Sequence, residues 1–234
     1  MVDRKKLVVF TGAGVSADSG IGTFRDEDGL WAKYRIEDVC TPEALARNRP
    51  QVLEFYNMRR KELLSKEPNA GHCVLKELEE LFDVRIITQN IDDLHERAGS
   101  SNVLHLHGEL RKLRSSVDDN LIYPIEGWEQ DPEARCAKES LLRPFVVFFG
   151  ESVPMFDSAV KIAEEADIFI VAGTSLAVYP AASLVRYVKE NTKVYVVDPN
   201  DPDTSGIRNE VEIIKMRAAE GLPFLSEKLK KDCL

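Results

Sequence analysis

Residues 8–26 read Val8-Val9-Phe10-Thr11-Gly12-Ala13-Gly14-Val15-Ser16-Ala17-Asp18-Ser19-Gly20-Ile21-Gly22-Thr23-Phe24-Arg25-Asp26. The apolar run at their head, Leu7 to Phe10, is long enough for a short buried strand. Gly12, Gly14 and Ala17 then fit the G-x-G-x-x-G/A spacing of a dinucleotide-binding turn. Small residues there let a diphosphate approach the main chain, its charge set against free N–H groups at a helix N-terminus. A Gly-rich strand-to-helix turn that binds nothing is the plainer alternative.

The residues after the turn narrow the choice. A dehydrogenase of the ordinary kind places a second strand and a ribose-binding acid about 20 residues on. Here Ser19 to Asp26 form a polar, Gly-interrupted stretch containing Phe24 and Arg25, with Trp31 and Tyr34 beyond it. No second strand is visible before Val84. The pattern suits a loop that closes over a ligand.

The 234 residues suit one compact domain, or one large and one small lobe. With 44% hydrophobic and 30% charged residues the composition is that of a globular protein. A net charge of −9 argues against non-specific nucleic-acid binding and is compatible with lysine-rich partners. The N-terminal apolar run stops too soon for a signal-peptide core. No run approaches the roughly 18–20 residues of a membrane span. A cytoplasmic location is expected. Cys40, Cys73, Cys136 and Cys233 are scattered, with no C-x-x-C pair, which reads as reduced structural thiols.

Outward from the opening stretch, strands are expected at Leu7–Phe10, Val84–Thr88, Val103–His107, Phe145–Phe149, Ile168–Ala172 and Val194–Asp198. Helices are expected at about Pro42–Leu64, Gly71–Leu81, Ser158–Glu165, Ala181–Asn191 and Gly221–Lys231. The alternation implies an α/β fold on a parallel sheet. Residues 29–68 and 110–143 break it, and both read as insertions that leave the sheet and return.

Several polar groups stand where chemistry could use them. Tyr56 and Arg59 share a helix face and together could hold a carboxylate; a solvated arginine and a packed tyrosine are the plainer reading. Gln89, Asn90 and Asp92 come just after a buried strand, where α/β proteins place ligands, although Asn90 or Asp92 could equally cap a helix. His105 and His107 would point to one face of a strand, without the cysteine or third histidine a metal site needs. Gly173-Thr174-Ser175 ends another strand and suits phosphate or ribose contact, or an ordinary turn.

The motifs together resemble the sirtuins, the NAD-dependent protein deacylases, over nearly the whole chain from Leu7 to about Leu229. GAGVSADSGIGTFRD is similar to their first signature, TQNIDDLHERAG to the second, His107-Gly108-Glu109-Leu110 to the third, and Gly173-Thr174-Ser175 to a fourth. Phe55-Tyr56-Asn57-Met58-Arg59-Arg60 resembles the helix of those sirtuins that accept succinyl- and malonyl-lysine.

The resemblance implies a Rossmann-like parallel sheet, about 1–28, 69–110 and 144–234, with a smaller lobe formed by two insertions, about 29–68 and 111–143. It implies NAD as cofactor, contacted by Gly12, Ala13, Gly14, Ser16, Phe24, Arg25, Trp31, Gln89, Asn90, Asp92, Gly173, Thr174 and Ser175, and more loosely by Asn200 and Ala218. His107 and Asn90 would be catalytic. Tyr56 and Arg59 would hold an acidic acyl group, and Val147, Phe149 and Gly150 would lie near the acyl-lysine of an extended peptide paired by main chain.

Partners are then acyl-lysine-bearing proteins or peptides, with no nucleic acid and no membrane. In the implied reaction the acyl oxygen attacks the ribose carbon as nicotinamide leaves, and His107 takes a proton from the ribose hydroxyl. The products are nicotinamide, O-acyl-ADP-ribose and free lysine, with Phe24 shielding the reacting sugar from water. An ADP-ribosyltransferase, an NAD hydrolase or a non-catalytic NAD or ADP-ribose sensor would use the same cradle.

One motif departs from the family. Sirtuins usually hold a structural zinc in the second insertion with two cysteine pairs, whereas this chain has Ser115-Ser116 and Cys136. No metal is expected, and Leu121, Ile122, Tyr123, Ile125 and Trp128 are expected to form an apolar mini-core instead.

Overall fold

The computed structural model describes residues 4–22, 33–200 and 202–231. In chain order the strands are β1 Lys6–Thr11, β2 Asp83–Thr88, β3 Val103–His105, β4 Gly108–Ser115, β5 Ile122–Pro124, β6 Leu142–Val146, β7 Ile168–Ala172, β8 Lys193–Val197 and β9 Val211–Ile214. The helices are α1 Gly14–Ala17, α2 Ile36–Val39, α3 Pro42–Arg47, α4 Arg49–Leu63, α5 Ala70–Leu78, α6 Leu94–Arg97, α7 Phe156–Glu164 and α8 Ala218–Lys231.

Among the described residues, six strands form one sheet in the order β3-β2-β1-β7-β8-β9, and all its pairs are parallel. This is the doubly wound dinucleotide-binding arrangement, whose strand order reverses between β1 and β7. Both faces are covered, so β1, β7 and β8 read as continuous apolar runs. Leu7, Val9, Ile170 and Val197 pack against α5 and α8 on one side; Val8, Phe10, Phe169 and Val196 pack against α7 and the 181–187 segment on the other.

A second, antiparallel sheet of order β5-β4-β6 is built from the later insertion. The helices of the earlier insertion pack against it through Phe55, Tyr56, Leu110, Val146 and Phe148. Among the described residues the elements between β1 and β2 are helical. No described helix is long and apolar enough to cross a membrane.

Several expected elements differ. The helix expected over 42–64 is two, because the Asn48 side chain accepts the Gln51 N–H and starts α4 afresh, with a proline in its first turn. The strand expected over 103–107 stops at His105: Gly108 turns with φ +82°, and a Cβ there would sit 2.2 Å from the Phe145 carbonyl oxygen. His105 and His107 therefore do not share one strand. The strand expected over 145–149 is Leu142–Val146, and residues 181–187 form a 3-10 helix in place of an α-helix reaching Asn191. The mini-core of the later insertion also differs: Leu113, Ile125, Cys136 and Leu142 are its buried members, whereas Ile122 is exposed and the Trp128 ring lies under the Lys61 ammonium.

Candidate functional site

The carboxyl ends of β1, β2, β3 and β7 meet where the strand order reverses, and most of the expected site residues lie within a few positions of them. The turns after β1 and β7 are locked together. Gly12 N donates to Ala172 O at 3.1 Å and Gly14 N to Gly173 O at 2.8 Å. A Cβ on Gly12 would lie 2.6 Å from Thr174 Cβ, one on Gly14 2.7 Å from Gly173 Cα, and one on Gly173 2.3 Å from Val15 N. These glycines are thus required by the contact between two turns. The Gly12 and Gly14 N–H groups both have partners in this contact, so of the turn's amides these two are engaged within the fold.

Ser16, buried on α1, is the centre of the polar floor. Its hydroxyl donates to Asp92 Oδ2 at 3.0 Å, accepts from Asn90 Nδ2 at 3.1 Å, and lies 3.4 Å from His72 Nε2. The His72 tautomer is set from its other side. Nδ1 accepts the Asn69 N–H at 3.2 Å in the capping box of α5, so the proton sits on Nε2 and points to Ser16. Burial pushes the His72 pKa down to about 4, against a smaller upward pull from Glu96, and keeps the ring neutral. Burial also raises Asp92, against the Leu94 N–H and the Ser16 hydroxyl. His95 is buried with its ring against His72 and its Nε2 3.2 Å from Thr11 Oγ1, so both lie directly beneath the site.

His105 and His107 have opposite surroundings. His105 places Nδ1 2.9 Å from Asn90 O and Nε2 2.7 Å from Glu96 Oε1. Burial alone would lower it, but the Glu96 bond and charge and the Asn90 carbonyl outweigh burial and raise its pKa. With acceptors at both nitrogens it has no lone pair to offer. His107 has its Nδ1 2.9 Å from Gln89 O, which assigns the proton to Nδ1 and leaves the Nε2 lone pair open. Burial lowers the His107 pKa and the Gln89 carbonyl offsets only part of that. The Gln89 side chain donates to Thr174 Oγ1 at 3.0 Å, bridging the ends of β2 and β7.

Beside this floor, Arg59, Glu62 and Asp92 line one small cleft with Ile21, Leu63, Ile91 and Leu110. Tyr56 is buried; its hydroxyl donates to Cys40 Sγ at 3.6 Å and its ring stacks on Phe148. Burial raises both the Tyr56 and the Cys40 pKa, and the nearby Arg59 charge pulls each the other way. Sequence reasoning passed over Arg60. It is fully buried and donates to Leu110 O at 3.0 Å and Trp128 O at 2.8 Å, tying α4 to the second sheet. A charged residue among the apolar positions of one helix face was the available sign.

The 147–150 segment is not a free strand edge. Val147 N donates to His107 O at 2.9 Å, Phe148 N to Glu151 Oε2 at 2.7 Å, and Phe149 N to Cys40 O at 2.9 Å. The expected main-chain pairing with a peptide cannot use these three donors. Phe149 is exposed, and Gly150 turns with φ +90°. Ser175 is half-buried in the turn after β7. Two residues expected from the resemblance to contact NAD more loosely lie just after β8 and at the start of α8. Asn200 is exposed, and both its N–H and its side-chain amide donate to Asp198 Oδ1. Ala218 is buried in the core at the start of α8. Phe24, Arg25 and Trp31 lie outside the described residues, as does Cys233.

The donors in the second insertion do not fit a tetrahedral thiolate centre. Cys136 Sγ accepts the Lys138 N–H at 3.3 Å and is paired with the Ser115 hydroxyl, while Asp118 is bonded to Lys138 Nζ at 2.8 Å. Among the described residues no group of three or more His, Cys, Asp or Glu side chains could hold a metal.

Comparison with known proteins agrees with this geometry. The Sir2 family matches residues 12–180. An NAD-dependent protein deacylase of Aggregatibacter actinomycetemcomitans is 57% identical over 84% of this chain and 94% of its own length. One of Bacteroides thetaiotaomicron is 50% identical over 96% of this chain and 98% of its own. The crystal structure of a Sir2 homolog–NAD complex superimposes with a TM-score of 0.87 at 41% identity, covering 99% of this chain and 91% of that one.

Proposed function

The chain belongs to the Sir2 family, and from that premise we propose how its site works. The protein is an NAD-dependent protein deacylase, and NAD is its co-substrate. We propose that residues 1–234 act as one catalytic unit, the parallel-sheet part binding NAD and the two insertions flanking the acyl-lysine. NAD supplies the ribose that accepts the acyl group as nicotinamide departs and one water is consumed, so the proposed products are nicotinamide, O-acyl-ADP-ribose and free lysine.

The observation that carries the reading is the bond from His107 Nδ1 to the Gln89 carbonyl. It leaves the Nε2 lone pair unengaged, which is what a general base for a ribose hydroxyl requires. Asn90 and Asp92, both tied to Ser16, orient the groups around that sugar. Thr174, held by Gln89, and Ser175 line the nucleotide side. Phe24, Arg25 and Trp31 are assigned to NAD on the resemblance alone.

The acyl pocket is proposed to accept succinyl- and malonyl-lysine as well as acetyl-lysine. What supports this is the Arg59 guanidinium in that cleft, with its charge felt at the Tyr56 hydroxyl that burial keeps protonated. The test is a panel of acetyl-, succinyl- and malonyl-lysine peptides with and without NAD, read by the mass of the released products. Deacylated peptide with matched O-acyl-ADP-ribose is expected. ADP-ribosylated protein, or free ADP-ribose without deacylation, would reject the reading.

A further inference from the structure

Away from the sheet crevice, Arg143 and Glu151 form a nearly buried pair. Arg143 Nη1 donates to Glu151 Oε1 at 2.6 Å and Nη2 to Oε2 at 3.1 Å, and Arg114 adds a bond to Oε1 at 3.2 Å. Such a two-pronged pair fixes orientation as well as charge. Burial alone would raise the Glu151 pKa, but the Arg143 bonds, the Phe148 N–H and the two arginine charges hold it below the ordinary carboxylate range.

The pair grips the main chain on either side of Val147. Arg143 Nη2 also donates to Val146 O at 3.1 Å, while Glu151 Oε2 accepts the Phe148 N–H at 2.7 Å. Between these anchors Val147 N donates to the carbonyl of His107. The Arg143 guanidinium lies over the Phe148 ring, 4.0 Å from its centroid, and that ring also stacks on Tyr56 at 5.8 Å with planes 23° apart. Two routes therefore run from one ion pair, through Val147 to His107 and through Phe148 to Tyr56.

We propose that Arg143 and Glu151 are positioning residues for deacylation, setting the acyl-lysine wall and the placement of His107 together. This rests on reading His107 as the base and Tyr56 as part of the acyl pocket. A pair kept only for folding could sit anywhere on the second sheet; this one is joined on one side to the proposed base and on the other to the proposed acyl pocket. The pair itself bonds to Val146, Phe148 and Arg114, and it reaches His107 only at second hand through the Val147 N–H, so the acyl-lysine wall is what it touches first.

The test uses the full chain with Glu151→Gln, which keeps the shape and an acceptor for the Phe148 N–H but removes the charge. KM for an acetyl-lysine peptide is expected to rise about tenfold, the worth of one charge-assisted bond. KM for NAD should stay within about twofold, since none of the bonds made by Glu151 is to a residue of the nucleotide-side turns. Arg143→Lys, which keeps the charge but cannot hold Glu151 and Val146 together, should raise KM for the peptide in the same sense. It also serves if Glu151→Gln fails to fold. Peptide KM unchanged in either folded variant, or KM for peptide and NAD rising in parallel, would overturn the proposal. Parent enzyme that failed to deacylate with NAD would reject the deacylase reading itself, and that control is run first.

Discussion

His107 Nδ1 lies 2.9 Å from the carbonyl oxygen of Gln89, so one ring nitrogen is fixed as a donor and the other keeps its lone pair open, as the proposed base requires. Because burial lowers the His107 pKa, the basic form persists to more acidic solution than for a free imidazole. The acid limb of kcat/KM for the peptide should therefore fall below the ordinary histidine value of about 6.5. His107→Ala should abolish deacylation while calorimetry still detects NAD binding. An acid limb above that value, or turnover undiminished in the variant, would remove His107 from the role of base.

Ser16 joins Asn90, Asp92 and His72 through a single hydroxyl. Ser16→Ala leaves the Asn90 amide and one Asp92 oxygen without that partner, which costs about 1–3 kcal/mol for buried groups. Nicotinamide release from NAD is expected to slow by about tenfold or more, the kinetic equivalent of that loss. Stopped-time assays of free nicotinamide would show it; a rate equal to the parent's would mean the hydroxyl does not orient either side chain.

Arg59 tests the acid-acyl pocket. Arg59→Met keeps much of the length and removes the guanidinium. Succinyl-lysine turnover should fall by about 10- to 100-fold, the range for a lost charge-assisted bond, and acetyl-lysine turnover by much less. Parallel kcat/KM measurements on the two peptides decide it: equal losses reject an acidic-acyl preference based on Arg59.

His72 sets an acid limit on stability. Its folded pKa of about 4 lies below the unfolded value near 6.5, so the unfolded chain binds the extra proton between those values. Stability from this group is full above about pH 6.5 and declines towards pH 4, by roughly 3 kcal/mol in total. The raised His105 works in the opposite sense, since its contribution is present at low pH and is lost as pH rises through its folded pKa. His72→Gln, whose amide oxygen can still accept the Asn69 N–H, should flatten the fall. Thermal midpoints of parent and variant from pH 4 to 7 would show two different slopes; parallel curves would refute the assignment.

The central strands were legible because both faces are buried, which writes Leu7–Phe10 and Ile168–Ala172 as unbroken apolar runs. β9 was not, because Val211-Glu212-Ile213-Ile214 is a half-exposed edge carrying a glutamate. β4 was hidden by its charges and by a register shift between Gly108 and Leu113, which breaks the alternation that marks a strand. The candidate site was legible as positions: Gln89, Asn90 and Thr174 come after strands, and strand ends are where such folds bind ligands. Its wiring was not. Ser16 meets Asn90 and Asp92 across more than seventy residues of chain, and only the close fit of the two glycine turns decides that the β1 and β7 loops touch.

The occupied amides of Val147, Phe148 and Phe149 have a consequence for what the enzyme will accept. If the peptide pairs along that segment as proposed, it has to bring hydrogens of its own to the carbonyls there, because these three amides already have acceptors. Imino acids or N-methylated linkages next to the modified lysine lack such hydrogens. Sequences of that kind should escape deacylation even when their acyl group fits.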